Sequence, residues 1–504
     1  MAKKATKLKK EAVQWSLASV VPAVVFCLTL INQGGYYEGA IVFAGLIMSA
    51  FLFAKGINIR FSFKNLMLFV FSVWYFFCSV KNGFVTEYAA RGMLPFVLLI
   101  FSVYASNCIG KKEQIIDCIL KFSAILAAFA IIQCIVLTAT KGYFIRLLFP
   151  FNYSNASGIY FAVCFFLCIE RNDRLLKKVS LVFIVSMLLT LSVGAIALSF
   201  VLICIKLIQK KKIKEFFIAV IAVIIAAFLL KNRIIQSGGT FLERLLQMHD
   251  GFLCMMKNPA FGIGAGAWET LKQSFQTGFY SANTIHSSFV QVGVNSGFLG
   301  LLLFVITVAA FLKDADKKYF PLCLMIIIHS LVDFSLSFSA LGFFVILLAN
   351  PETEQKYSEN KLLKYITASL LMCVFITSAF GLYSVKSFNI NTQNPNIFVR
   401  HSTQVAKSYA AYMNTQNKGV PKDMFILSNK PYELVLNEAL SFENKDEYLI
   451  GILEKQPYNV KLMRFIEENF KAETVQKAKA VRQKAVASLS PIGEILYNLK
   501  GENQ

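Results

Sequence analysis

Thirteen apolar runs, several of them only the short core of a span, divided by short loops that carry Lys and Arg, constrain this chain more than any other feature. They lie at 13–31, 40–53, 66–80, 93–108, 122–137, 159–168, 179–191, 195–207, 216–230, 289–312, 320–332, 341–348 and 366–382. Backbone polar groups in hydrocarbon must bond to one another, so each run is expected to be a helix. Counting each against the ~20 residues needed to span gives about thirteen crossings. Only 16% of the residues are charged, against about 25% in a soluble domain. The expectation is an all-α, polytopic integral membrane protein.

A net charge of +22 raises nucleic acid as a partner, but cations in short cytoplasmic loops account for it. Lys55, Arg60 and Lys64, then Lys111, Lys112 and Lys121, then Arg171, Arg174, Lys177 and Lys178 fall in alternate loops. Lys206–Lys214 and Lys313–Lys318 continue the alternation. The N-terminus is therefore expected inside, the C-terminus outside, and the basic stretch 1–10 is read as preceding an uncleaved first span. The 11 Cys sit mostly in apolar runs without metal-ligand or disulfide spacing, so no metal and no cofactor are expected. The partners expected are the lipid bilayer and outer-face substrates, with no nucleic acid.

Two regions follow. Residues 1–383 form the transmembrane domain, with a long outer loop at 231–288. Residues 384–504 form a polar extracytoplasmic tail. Apolar residues recur at helical spacing in 433–440 and 446–470, split at Pro457. The paired pattern is similar to tetratricopeptide units, without a fixed period.

The outer loop collects the residues with chemistry. Arg244 suits bidentate contact with phosphate oxygens; the plainer alternative is an interfacial Arg that snorkels. Gly262, Gly264 and Gly266 follow Pro259 and let the backbone turn tightly. They lack the Lys-Ser/Thr of a nucleotide loop. His286 stands at the mouth of an apolar helix, where it serves either as proton acceptor or as a structural cap. His329 and Asp333 lie at i and i+4, within direct hydrogen-bonding reach on a helix; a structural pair is the favoured reading, support of a site the other. Arg91 at the start of a span, and Arg146 ahead of Asn152 and Asn155, are further outer-face candidates. Asp314-Ala-Asp316 falls among Lys313, Lys317 and Lys318 and is read as loop charge.

The linked pattern resembles the O-antigen ligase and Wzy-type O-antigen polymerase superfamily. Arg244, Met248 where the family has an aromatic, Pro259, the glycines at 262, 264 and 266, and Trp268 match one signature. His286-Ser287-Ser288-Phe289-Val290-Gln291 with Gly297 and Gly300 matches a second, and His329-Ser-Leu-Val-Asp333-Phe a third. Ser287 replaces an Asn, and Ser192-Val193-Gly194 lacks the cation of the family's Ser-Arg-Gly. The resemblance covers most of 152–348. It implies a bacterial inner-membrane glycosyltransferase. The donor would be an undecaprenyl-pyrophosphate-linked glycan, and the acceptor a hydroxyl on glycan, lipid or protein. It implies Arg244 as diphosphate clamp and His286 as base or acceptor-positioner, with Arg146, Asn155, Gly264, Gly266 and Gln291 binding substrate and His329 and Asp333 behind them; Arg91 is added to the substrate-binding set by its position only. The competing class is a lipid-linked glycan flippase or other polysaccharide transporter, which would be expected to show repeated halves and midplane charges.

Overall fold

Every described apolar run is helical, and no strand occurs among the described residues. The computed structural model describes residues 17–500 except 55, 56, 58, 60, 61, 82, 109, 110, 172, 230, 351–360, 390–394, 417, 422, 428, 440 and 441. The basic stretch 1–10 and the loop cations Lys55 and Arg60 fall outside the described residues.

The bundle begins with α1 (Leu17–Ile31), α2 (Glu38–Phe51), α3 (Phe63–Lys81), α4 (Thr86–Gly92), α5 (Leu94–Asn107) and α6 (Lys112–Lys141). It continues with α7 (Ser154–Ile169), α8 (Arg174–Leu189), α9 (Val193–Gln209) and α10 (Ile213–Leu229). Five described helical stretches are long and apolar enough to cross a membrane: Phe63–Lys81, Thr86–Asn107, Lys112–Lys141, Ser288–Asp314 and Lys364–Ser387. Six further apolar helices are shorter. Large apolar side chains such as Ile125, Ile132, Phe217 and Phe228 point outward from α6 and α10, as a bilayer solvent requires. Nearly all of α7 is buried at the centre of the bundle.

The segment read as an outer loop is mostly helix. α11 (Lys231–Lys257) runs straight through Gly238 and Gly239, because glycine weakens a helix interior without forbidding it. After it come a Pro-Gly turn, the short α12 (Trp268–Leu271) and α13 (Ser288–Asp314). Then α14 (Phe320–Leu331) and α15 (Ser339–Ala349) face each other across the turn 332–338, and α16 (Lys361–Ser387) leads to the tail. With 12 and 11 residues, α14 and α15 extend only about 18 Å each. Their irregular junction is buried, which a membrane protein tolerates only where other groups meet the freed backbone.

Charge sorts the two ends. Lys64 pairs with Asp314 at 3.2 Å, and Lys112 with Asp316 at 2.8 Å. Arg171 pairs with Asp117 at 2.9 Å and also with Glu113. α13 holds Asp314 at one end and starts beside His286 at the other. Its 27 residues put these ends about 40 Å apart, so Asp314 and Asp316 are structural charges remote from the loop.

The tail is helical: α17 (Ile397–Arg400), α18 (Thr403–Thr415), α19 (Tyr432–Ala439), α20 (Lys445–Lys455), α21 (Val460–Asn469), α22 (Ala472–Ala487) and α23 (Pro491–Lys500). The break between α20 and α21 falls at Pro457, as the pattern predicts. The tail does not hang free. Thr86 N–H donates to His401 O at 3.0 Å, and Leu496 is buried in one cluster with Leu246 and Trp268.

Candidate functional site

The site is built where a broken helix and a glycine turn complete each other. α13 breaks at Gly297, whose φ is 72°. The break frees carbonyls one turn back. Val294 O accepts from Ile263 N–H at 2.8 Å and Asn295 O from Gly264 N–H at 2.9 Å, while Phe298 N–H donates to Pro259 O at 2.8 Å. A Cβ on Gly297 would sit 2.4 Å from Ala260 O, and one on Gly262 2.4 Å from Val294 O. The Pro259–Gly264 turn is thus strapped to α13. The Gly264 N–H is spent on that strap.

The strap fixes both ends of the functional segment. Ser287 caps α13, its hydroxyl accepting from Val290 N–H at 3.3 Å. His286 lies just before the cap, between Phe334 and Tyr153, with ring centroids at 5.3 and 6.4 Å. Its Nδ1 lies 2.7 Å from Gln247 Oε1. The Gln247 amide nitrogen faces Glu243 Oε1 at 3.4 Å. A carboxylate accepts only, so the amide NH2 turns to Glu243 and its oxygen to His286. Nδ1 therefore carries the proton, and Nε2 keeps its lone pair. Burial, then the Arg244 charge, push the His286 pKa down to about 4, partly opposed by Asp333. The imidazole is neutral at pH 7 and can accept a proton.

Arg244 projects from α11, three residues from Gln247 on the same helix face. Its Nη1 donates to Val332 O at 2.9 Å and lies 3.4 Å from Asp333 Oδ2. Its Nε–H is buried, with no hydrogen-bond partner among the described residues. Asp333 is fully buried and is the hub of the cluster. It accepts from Tyr153 Oη at 2.7 Å, Asn155 Nδ2 at 3.0 Å and Ser335 Oγ at 3.2 Å. Ser288 N–H and Oγ both donate to the Asp333 carbonyl, at 3.0 and 3.1 Å.

His329 and Asp333 do come together, but not by a direct helical i,i+4 bond. α14 ends at Leu331, so the contact runs through Ser335, whose hydroxyl lies 2.8 Å from His329 Nδ1. Arg146 donates to Thr190 O at 2.8 Å and to Asn155 Oδ1 at 3.3 Å. It thereby lies against the turn that leads into Ser192-Val193-Gly194, where the family's cation is missing. A Cβ on Gly194 would lie 3.4 Å from His329 Cδ2, so this turn, too, packs on the cluster.

Arg91 stands apart from Arg244. It pairs with Glu38 and lines a cavity of about 110 Å³ together with Tyr75, Gln291, Asn295 and Thr284. Gly266, with φ +88°, lets the chain pass over Arg91. Gln291 braces the cavity roof, accepting from Ile285 N–H at 3.0 Å and donating to Asn295 Oδ1 at 2.8 Å. Ser288 and Leu336 line the cavity as well and bond to each other at 3.1 Å. This largely apolar cavity, with its few polar groups, and the Arg244–His286 cluster thus share a wall.

Sequence reasoning missed Gln247, Tyr153, Ser288 and Ser335. Gln247 had a legible signal, its spacing of three from Arg244, once 231–257 is taken as helix. Among curated proteins, no sequence matches this chain. A family model described as O-antigen ligase matches residues 122–305, which include Arg244, His286 and Gln291 but not His329 and Asp333. Over that stretch, which holds Arg244 and His286, the chain is similar to the O-antigen ligase family.

Proposed function

We propose that this chain transfers a glycan en bloc from an undecaprenyl-pyrophosphate carrier to an acceptor hydroxyl at the outer face of the bacterial inner membrane, as a ligase or a polysaccharide polymerase. The observation that carries the reading is the Arg244 guanidinium, held at Val332 and Asp333 with its buried Nε–H unspent. Buried donors are almost always paired, and a phosphate oxygen is the acceptor the chemistry calls for. Beside it stands a neutral imidazole with a defined free nitrogen.

The reaction needs only these parts. The acceptor oxygen attacks the anomeric carbon while His286 Nε2 takes its proton. The bond from that carbon to the diphosphate oxygen breaks, and the electron pair leaves with the lipid diphosphate. Arg244 stabilises the charge that grows there, and Arg146 lends a second cation on the side of the Ser-Val-Gly turn. One displacement inverts the anomeric centre. A bound diphosphate also offsets the Arg244 charge and raises the His286 pKa from its low resting value, which strengthens the base when substrate is present. Arg91 and the amides of the neighbouring cavity are placed to hold the sugar next to the diphosphate.

The test is transfer by the purified protein in liposomes, supplied with a polyprenyl-diphosphate glycan and an oligosaccharide acceptor. The expected product carries an inverted anomeric linkage with release of the lipid diphosphate. Movement of the intact donor across the bilayer, without linkage formation, would contradict the reading.

A further inference from the structure

Adjacent residues on a helix point about 100° apart. Arg244 faces the bundle, and Glu243, about 100° round the helix, reaches the seam where the outer loop meets the tail. That seam holds a groove of about 240 Å³. One side is loop: Gln273, Gln276, Phe279 and Ser281. The other is the start of α21: Tyr458, Asn459, Lys461 and Arg464. The walls are built rather than incidental. Phe279 packs edge-on against Tyr458 at 5.2 Å, and Tyr458 Oη donates to Ala485 O at 3.1 Å. Ser490 N–H donates to Thr277 O at 3.2 Å, closing the seam below.

The groove is cationic. Lys461 and Arg464 are exposed on its rim, and the Arg482 guanidinium covers the Phe279 ring at 5.4 Å. Lys272 lies beneath, its ammonium bound to Ser281 O, Ala282 O and Asn283 Oδ1 at 3.1, 2.9 and 2.6 Å. Glu243 is the one carboxylate in the lining; Glu467 and Glu468 follow on α21 but do not line it. Amides, a hydroxyl, ring edges and two free-standing cations suit an oligosaccharide bearing carboxylate or phosphate groups. No bundle helix contributes to the lining, so the occupant needs no lipid anchor there.

We infer that this groove binds an acidic acceptor glycan and leads it toward His286. The acceptor role rests on the glycan-transfer reading above, so binding and transfer are measured separately. The full-length protein in nanodiscs is titrated with labelled trigalacturonate and with neutral maltotriose. Trigalacturonate is expected to bind at least tenfold more tightly, and added salt is expected to weaken it. The Lys461→Gln/Arg464→Gln variant changes exposed side chains only. It is expected to weaken trigalacturonate about tenfold or more, the loss of at least one charge-assisted contact. Its affinity for a polyprenyl-diphosphate glycan is expected to stay as in the wild type. Equal binding of the neutral sugar, unchanged binding by the variant, or equal competition by an acidic peptide would overturn the inference. Absence of transfer by the wild-type protein with groove binding intact would leave the groove standing and remove its acceptor role.

Discussion

Asp333→Asn tests the joint on which the site hangs. The carboxylate is fully buried and receives Tyr153, Asn155 and Ser335, with Arg244 at 3.4 Å. The amide keeps the volume but turns an NH2 toward one of those donors and leaves Arg244 with only the Val332 carbonyl. Removing one partner of a buried pair costs roughly 3–5 kcal/mol. The Arg244 side chain retains 17% exposure, so part of its charge relaxes into water and the lower end, about 3 kcal/mol, applies. That is about two powers of ten in a local opening equilibrium. Hydrogen exchange of the nanodisc-embedded protein reads it directly. Protection of the 332–338 turn is expected to fall about a hundredfold, because Ser288 and Leu336 are tied to that turn. The buried helices α7 and α15 are expected to stay protected. Transfer is expected to fall at least ~100-fold, the scale of a lost transition-state donor. Wild-type exchange in the turn together with wild-type transfer would refute the hub assignment.

Four further outcomes are expected. Gln247→Leu frees the His286 tautomer and leaves Nδ1–H buried, so turnover is expected to drop roughly 10- to 100-fold with little change in donor affinity, read as a split between kcat and KM. The acid limb of kcat/KM is expected near the His286 pKa of about 4. Arg244→Gln removes a lowering charge and is expected to move that limb up, while Asp333→Asn removes a raising one and is expected to move it down; limbs that stay put would show that another group titrates. The folded pKa of His286 lies below the ordinary 6.5. The unfolded chain therefore binds more protons between about 4 and 6.5, and stability is expected to be lost as pH falls through that window, less so in His286→Gln. A reporter that works only outside the membrane, fused after Leu382, is expected to be active, since cation-rich loops alternate to place the N-terminus inside; activity only in the cytoplasm would invert the account.

Much of this was legible in the residues, and the misses share a cause. Span positions and the segregation of cations follow from solvent chemistry that acts residue by residue. Arg244 and His286 stood out because linked motifs surround them, despite Met248 and Ser287, and the structure brings the two side chains into one cluster. The helix α11 was hidden because 231–288 read as one outer loop, while its face is set by partners distant in sequence. The glycines at 262 and 264 read as a tight turn, but its partner was hidden, because the Ile263 and Gly264 N–H groups serve the break at Gly297 some thirty residues on. The His329–Asp333 bond was expected from helical spacing, but α14 stops at Leu331 and Ser335 takes the bridge. The tail's role was the least legible, because its contacts with Thr277 and Phe279 link segments about two hundred residues apart.

The central claim is that Arg244 holds the diphosphate while His286 takes the proton. The most direct measurement compares donor binding and transfer for Arg244→Lys and His286→Ala in the same liposomes. Lysine keeps the charge and loses the planar fork, so both donor binding and transfer are expected to fall. His286→Ala is expected to bind donor as the wild type does and to cut transfer at least ~100-fold. A folded, inserted His286→Ala protein that transfers at near wild-type rate would contradict the claim, and His286 would then be a structural residue at the mouth of α13.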